Sequence, residues 1–416
     1  VEWLMKRISA DHGVPIQQQT LSSDPGGKHL LIPEVSLRDA GVCRNGDMVY
    51  LQISKEAEAL TRGANLPTSK KIAADGSIVN MTYEESTKDL GFRPGMPPLG
   101  DIKRAWTLTE FMEVDEKFVF KIKKQKESPC TSVTLDSAVC QSFQGHLAAF
   151  AWSQSRVGYL YGTFEEDSSV IVHAMYEPPQ RCSSEGFEVL DDPREDQVGS
   201  LASMLGLRRV GWIFAHPPRE EGFLFSSDEI IFGAVQQLEA GDGPQETPFV
   251  TVRCTVEEDG NVNFDAFSLS LQCMEMVAEG ALEVDPDDRS SCPVIDTFTA
   301  VVEGKGAKAI DNVMFLMNVP VKQHDSPLLS TRFPVANRVG VAQTVEDLKR
   351  ILANSGGRSF RECLADFGLL LFLMDFEDMF NWGEDMPRIC EAVTNAALPV
   401  DEGYEMIIRS FAGMEV

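Results

Sequence analysis

Zinc-assisted hydrolysis needs three protein ligands and an open fourth position, because only then does the bound water become acidic enough, with a pKa near ~7, to attack an amide. One stretch to weigh against that need runs from Gly211-Trp-Ile-Phe-Ala-His216 to Ser226-Ser-Asp-Glu229. It offers one histidine, His216, and one carboxylate, Glu229, which alone make a poor metal site. Ser226 to Glu229 also has the Ser-x-x-Glu form of a capping box, followed by Ile230, Ile231, Ala234, Val235 and Leu238 at helical spacing, and so reads as a helix start. His216, beside Pro217-Pro218, reads as a loop histidine. Cys130, Cys140 and His146 make no paired zinc knuckle, since Cys140 and His146 are six apart on one expected helix and face different directions. There is no Gly-rich phosphate loop and no Gly-x-Ser-x-Gly elbow, and none of the nine cysteines has a partnered histidine in sequence. Cys182 sits in a polar loop, but exposure alone does not make a nucleophile. No catalytic residue, metal or cofactor is expected.

These residues hang on an α/β unit from Val157 to Glu229. Its strands are the apolar runs at Val157–Gly162, from Val170 and at Arg209–Phe214, each bounded by Gly, Pro or charge. A helix lies between the second and third, with Asp191 and Asp192 to cap it and Pro193 in its first turn. Val198, Leu201, Ala202 and Leu205 fall on one face, and Gly206 stops it. Upstream, Val133–Leu135 reads as a strand and Asp136 as the cap of a helix striped by Val139, Phe143, Leu147 and Phe150. Downstream, alternation in Phe249–Val256 and Val262–Phe267 around Glu257-Glu-Asp-Gly-Asn261 predicts a hairpin, and a helix through Cys273, Met276 and Val277 closes the unit. Further on, Val313–Val319 reads as a strand, Val345–Leu352 as a helix, and Phe360–Met379, apolar almost all round, as a central buried helix.

At the start, residues 2–12 form part of an amphipathic helix with Trp3, Leu4 and Ile8 near one face. Short strands follow at Ile16–Leu21, Leu30–Pro33 and, after the turn signal Asn45-Gly46, up to Ile53. That order matches the later part of a ubiquitin-like fold, whose two opening strands would lie before Val1. The pattern decays through Phe92-Arg-Pro-Gly-Met-Pro-Pro-Leu-Gly100, a linker. Thr107–Lys126 regains helical spacing and carries five lysines, either as a solvated face or as a dock for an acidic partner. The expected organisation is a ubiquitin-like domain at 1–55, a linker with a basic helical segment at 56–130, a central domain at 131–282 and a mixed α/β domain at 283–416.

The 416 residues exceed one ordinary core, and 43% hydrophobic with 24% charged residues is the composition of a globular protein. A net charge of −27 argues against a nucleic-acid partner, which needs clustered cations. The longest apolar run, Leu369–Met374, is far short of a membrane span, so no membrane insertion is expected. Scattered cysteines in odd number, with no secretory signal at the start, read as reduced intracellular thiols.

Three phrases in the central unit, Gly158-Tyr-Leu-Tyr-Gly162, Tyr176-Glu-Pro-Pro-Gln180 and Gly206-Leu-Arg-Arg-Val-Gly-Trp-Ile-Phe214, resemble the MPN fold of the nuclear protein localisation 4 family. Leu271-Gln-Cys-Met-Glu275, Arg332-Phe-Pro-Val-Ala-Asn-Arg338 and Asp366-Phe-Gly-Leu-Leu-Leu-Phe372 fit it in the same order, so the resemblance covers roughly residues 130–410. It implies an adaptor that pairs with a ubiquitin fusion degradation 1 type partner. Together they deliver ubiquitin-conjugated clients to a hexameric AAA+ unfoldase, valosin-containing protein, in the cytoplasm and nucleus and at the ER surface for ER-associated degradation. Active MPN enzymes carry His-x-His-x7-Ser-x2-Asp and an upstream Glu. On that pattern Phe214 replaces the first histidine, Glu229 the aspartate and Ser155 the general base, and the spacer before Ser226 is two residues longer. The resemblance is therefore to a non-catalytic form that also lacks the family's Cys/His zinc module.

Without chemistry, such a domain still offers a sheet edge and a groove in which an extended client segment, ubiquitin chains included, can lie. Tyr176, Glu177, Pro178, Pro179 and Gln180 are the first candidates for a groove wall, the alternative being a core tyrosine and a proline strand end. Phe333, Asn337 and Arg338 are the second, against a structural turn. Ser22, Ser23, Asp24 and Lys28, in a polar loop tip, are the candidate unfoldase contact, against an ordinary loop. Two other readings stay open: an atypical zinc isopeptidase, and a structural MPN subunit of a larger complex.

Overall fold

The computed structural model describes residues 1–12, 16, 19–23, 29–33, 35, 36, 49–53, 69–72, 78–81 and 119–414, the last without 221, 258 and 287. It divides into two units, Val1–Trp106 and Thr107–Val416. In the first, helix α1 (Glu2–His12) lies with strands β1 (Gln19–Ser22) and β2 (Tyr50–Ile53), which pair antiparallel with Leu21 opposite Leu51. Val1, Met5, Leu21 and Leu31 form its small core, with Leu4, Ile8 and Val49 packed against it. Trp3, expected on the apolar face, is 72% exposed and takes no part. Strands β3 (Ser69–Ile72) and β4 (Ile78–Met81) pair antiparallel within the stretch expected to be linker. The Asn45-Gly46 turn and the Phe92–Gly100 segment lie outside the described residues.

The second unit begins with β5 (Val119–Ile122) and β6 (Val133–Asp136), then α2 (Ser137–Ala149), β7 (Arg156–Phe164) and β8 (Val170–Tyr176). A short hairpin, β9 (Gln180–Cys182) and β10 (Phe187–Val189), leads to α3 (Glu195–Met204), β11 (Arg208–Ala215) and α4 (Ser227–Gly241). Then come β12 (Val250–Val256), β13 (Val262–Leu269), α5 (Leu271–Ala278), β14 (Ser291–Pro293), β15 (Thr299–Val302), β16 (Lys305–Ala307) and β17 (Ala309–Asp311). A 3-10 turn (Asn312–Phe315) precedes β18 (Leu316–Val319) and β19 (Val321–His324). Five helices finish the unit: α6 (Val345–Ala353), α7 (Phe360–Leu364), α8 (Phe367–Met374), α9 (Asp385–Thr394) and α10 (Glu402–Phe411). The fold class is α/β, as the sequence indicates.

Eight strands make one sheet in the order β18-β13-β12-β11-β7-β8-β6-β19. Its two outer strands are consecutive in the chain, separated by Pro320 alone, so one short segment finishes both edges. Both come from beyond the 282/283 boundary suggested by the sequence. Each outer strand is only four residues long, so this sheet presents no long edge. Alternation sorts β7: Leu160 joins the core that includes Phe143 and Leu147 of α2, while Tyr161 joins the one that includes α3 and the final helices. At Gly162 an added Cβ would lie 1.8 Å from the Ile171 carbonyl oxygen, so only glycine lets β7 and β8 approach there.

Several helix signals hold. Asp136 caps α2, its carboxylate accepting from the Val139 amide at 3.0 Å, and Gly206, at φ 70°, ends the α3 turn. Others need correction. Asp191 and Asp192 do not cap α3, which starts at Glu195; the Asp192 carboxylate accepts from the Arg194 amide at 2.9 Å and from the Tyr176 hydroxyl at 2.7 Å, which ties it to the sheet. Phe150 is 39% exposed at the end of α2. The expected long helix over Phe360–Met379 breaks into α7 and α8, because the buried Asp366 carboxylate caps α8 through the Leu369 amide at 3.2 Å and also accepts from Arg332 at 2.6 Å and Phe333 at 2.9 Å. The start of the expected Val313–Val319 strand is the 3-10 turn, held by Asp311 accepting from the Val313 amide at 2.8 Å. The basic segment is not helical where described: β5 is a strand, pairing parallel with β15.

Candidate functional site

The position of the zinc enzyme pattern is filled by packing. Phe214 is wholly buried at the end of β11, its ring 4.9 Å from Trp212 and 5.0 Å from Phe225. Glu229 does sit on the first turn of α4, where Ser226 accepts from its amide at 3.3 Å and its carboxylate accepts from the Ser226 amide at 2.8 Å: the capping box read from the sequence. The remaining acceptor capacity of that carboxylate goes to Arg219, which grips it with two nitrogens at 2.6 and 2.8 Å. His216 is buried, with Nδ1 2.7 Å from the Pro217 carbonyl oxygen; burial, with Arg219 close by, lowers its pKa to about 4 and keeps the ring neutral. Ser155 is buried, and its hydroxyl has no partner among the described residues. A carboxylate already bound by a guanidinium and a helix start is not free to hold a cation.

Cys182 lies on β9, not in a loop. Its Sγ donates to Gln180 Oε1 at 3.2 Å, and burial raises its pKa, so the group is a thiol and not a thiolate.

The two candidate wall segments, far apart in sequence, meet at Glu177. This carboxylate is completely buried. Arg156 holds Oε2, with Nε at 2.7 Å and Nη2 at 2.6 Å, and Arg338 holds Oε1, with Nε at 3.0 Å and Nη2 at 2.6 Å. Asn337, in the left-handed region at φ 60°, donates its side-chain amide to the Glu177 carbonyl at 2.9 Å and to the Tyr176 hydroxyl at 3.1 Å. Gln180 acts as a piece of strand: Oε1 accepts from the Val157 amide and Nε2 donates to the Val157 carbonyl, both at 2.8 Å. Tyr176 and Pro178 are buried and Pro179 partly so, while Phe333 points into the C-terminal core against Phe372 at 5.2 Å. Tyr176, Glu177, Gln180, Asn337 and Arg338 therefore make one rigid hydrogen-bonded corner, and Phe333 anchors it from beneath.

Two clefts open in this part of the second unit, and the smaller one borders the corner through Tyr176. One, about 910 Å³, lies between the β9–β10 hairpin and α4, lined among others by Arg181, Phe187, Glu188, Phe232, Val235 and Arg289. The other, about 260 Å³, is walled by Tyr176 and Pro178 with residues of β7, β11 and the start of α3. No local spacing marks Val189 of the hairpin or Arg209 of β11 as cleft-lining residues; they share a cleft only through the sheet order.

Among the unfoldase-contact candidates, Ser22 is buried in β1 opposite Tyr50 and so belongs to the strand and not to a loop tip. Ser23 is exposed, its amide donating to the His29 carbonyl at 3.1 Å. Asp24 and Lys28 lie outside the described residues.

Comparison with known proteins points one way. The model of the NPL4 family matches residues 156–297, which covers β7 to β14 and both clefts. The chain is 33% identical over 306 residues to the nuclear protein localization protein 4 homolog of Dictyostelium discoideum, an alignment covering 72% of this chain and 50% of that protein. It is 28% identical over 270 residues to the Homo sapiens protein of that name, covering 53% of this chain and 44% of the relative, so it spans about half the length of both. With NPL4-like protein 2 of Arabidopsis thaliana it shares 30% identity over 420 aligned positions, covering 98% of this chain and 97% of the plant protein. A likeness that runs almost end to end, together with a family model seated on the strands that carry the buried corner, places this chain in the NPL4 family.

Proposed function

We propose that the protein is a non-catalytic adaptor that holds ubiquitin-tagged clients and delivers them to a hexameric AAA+ unfoldase, in company with a ubiquitin fusion degradation 1 type partner. The observation that carries this reading is the fate of the zinc position. Phe214 is part of an aromatic cluster and Glu229 is bound by Arg219 and its own helix start, while the corner built on Glu177 borders an open cleft of about 260 Å³ through Tyr176. A surface so arranged grips and does not cut. In this reading residues 131–282 form a non-catalytic MPN domain whose sheet takes its outer strands from 283–416. Residues 1–55 form a ubiquitin-like handle, with Ser23, Asp24 and Lys28 nearest the unfoldase. The relatives' names speak of nuclear protein localization, which fits action in the nucleus as well as the cytoplasm and, through partners, at the ER surface.

Affinity capture with the hexamer, with and without the partner protein, tests the reading. Recovery of the hexamer supports it; recovery of other MPN-containing assemblies without the hexamer favours a structural subunit. Stoichiometric zinc with chelator-sensitive cleavage of a ubiquitin dimer favours the isopeptidase.

A further inference from the structure

On β7, Tyr159 and Tyr161 are two apart and face the same side of the sheet. The antiparallel registers place Tyr176 of β8 directly opposite Tyr159, and Arg209 of β11 directly opposite Tyr161. The loop before α3 and its first turn bring Asp191, Asp192 and Glu195 to the rim, enclosing the pocket of about 260 Å³.

The contents of this pocket are unbalanced. Tyr161, one of the lining residues, is 93% buried (7% exposed), its ring stacked on Phe367 at 5.4 Å, yet its hydroxyl has no hydrogen-bond partner among the described residues. Burial raises both Tyr159 and Tyr161 above the ordinary tyrosine pKa, so both stay neutral, with electron-rich faces and lone pairs available. The carboxylates of Asp191 and Glu195 likewise have no partner among the described residues, whereas Asp192 is committed to Tyr176 and Arg194. Arg209, which also lines the pocket, is paired with Glu239 at 2.8 Å, and its guanidinium lies 4.9 Å from the Tyr159 ring centre. One ring of the set thus already hosts a cation on one side.

We propose that this pocket receives the side-chain cation of a lysine or arginine carried by an extended segment of the bound protein. The proposal rests on the client-holding reading above and names what that site recognises. The aliphatic stem lies along Pro178, Leu190 and Val198. The charged head meets the Tyr159 and Tyr161 rings, donates to the Tyr161 hydroxyl, and is balanced by Asp191 and Glu195.

The test uses the full chain and two fluorescent peptides, uncharged apart from the central residue, which is lysine in one and norleucine in the other. The lysine peptide is expected to bind about tenfold more tightly, with the advantage shrinking in high salt. The double variant Asp191→Asn, Glu195→Gln abolishes that advantage. Tyr161→Phe, which breaks no existing hydrogen bond, reduces it with the fold intact by circular dichroism. Absence of a lysine preference, whether both peptides bind or neither does, overturns the pocket, and so does a preference unchanged in the double variant. Capture of polyubiquitin is measured on the same proteins. If the pocket fails while polyubiquitin is still held, the client reading stands; if polyubiquitin is not held either, both fall.

Discussion

Glu177 is the residue on which the two candidate segments close, and it is buried with a guanidinium on each oxygen. Removing it strands two arginines that are themselves at most a tenth exposed. Glu177→Ala is therefore expected to lower the unfolding free energy by roughly 3–5 kcal/mol, the cost of breaking a buried ion pair, as read from the urea midpoint. His216 gives a second expectation at this scale. Its folded pKa of about 4 lies below the ordinary value of 6.5, so between those pH values the unfolded chain binds a proton that the folded chain refuses. Stability should be present in full above about pH 6.5 and fall as pH drops toward 4. In His216→Phe, which keeps a ring beside Phe214, that part of the acid loss should vanish from denaturation curves taken at pH 7 and pH 4.5; an unchanged loss would contradict the assignment. The phrases Tyr176-Glu-Pro-Pro-Gln180 and Arg332–Arg338 both stand out in the sequence, but their pairing does not, and neither does Arg156. Arg156 is 21 residues away and Arg338 161, and pairing over such distances leaves no local spacing to read.

Elements were legible where their signals are local. The Ser226–Glu229 capping box, the Asp136 cap and the β12–β13 hairpin all follow from residues within a few positions of one another. The break between α7 and α8 was not legible, because an apolar run reads as one helix unless the capping role of Asp366 is known, and that role is completed by amides of Arg332 and Phe333 from another segment. The strand β5 was hidden for the same reason, its partner β15 lying far along the chain. Two substitutions separate these cases by size. Ser226→Ala removes one cap bond and should cost about 1 kcal/mol. Asp366→Ala leaves three buried or half-buried amides without their acceptor and should cost about 2–4 kcal/mol in the same assay. Equal costs would mean that Asp366 is only a helix cap.

At the scale of the whole molecule, the segment from Leu316 to His324 ties the parts of the second unit together, since its two halves end the same sheet on opposite sides. The central sheet and the C-terminal helices are thus one body, with Tyr161, Ala174 and Tyr176 of the sheet buried in the same core as α6 to α10. Sequence phrases revealed the family over this body but not the closure of the sheet, which depends on topology and not on any motif. The most direct measurement is to incubate the purified full-length chain with a ubiquitin chain and added zinc, capture it, and resolve the bound and free ubiquitin by size. The expected result is ubiquitin chains retained intact on the protein; release of single ubiquitins that stops on adding a chelator would contradict the claim that this fold grips and does not cut.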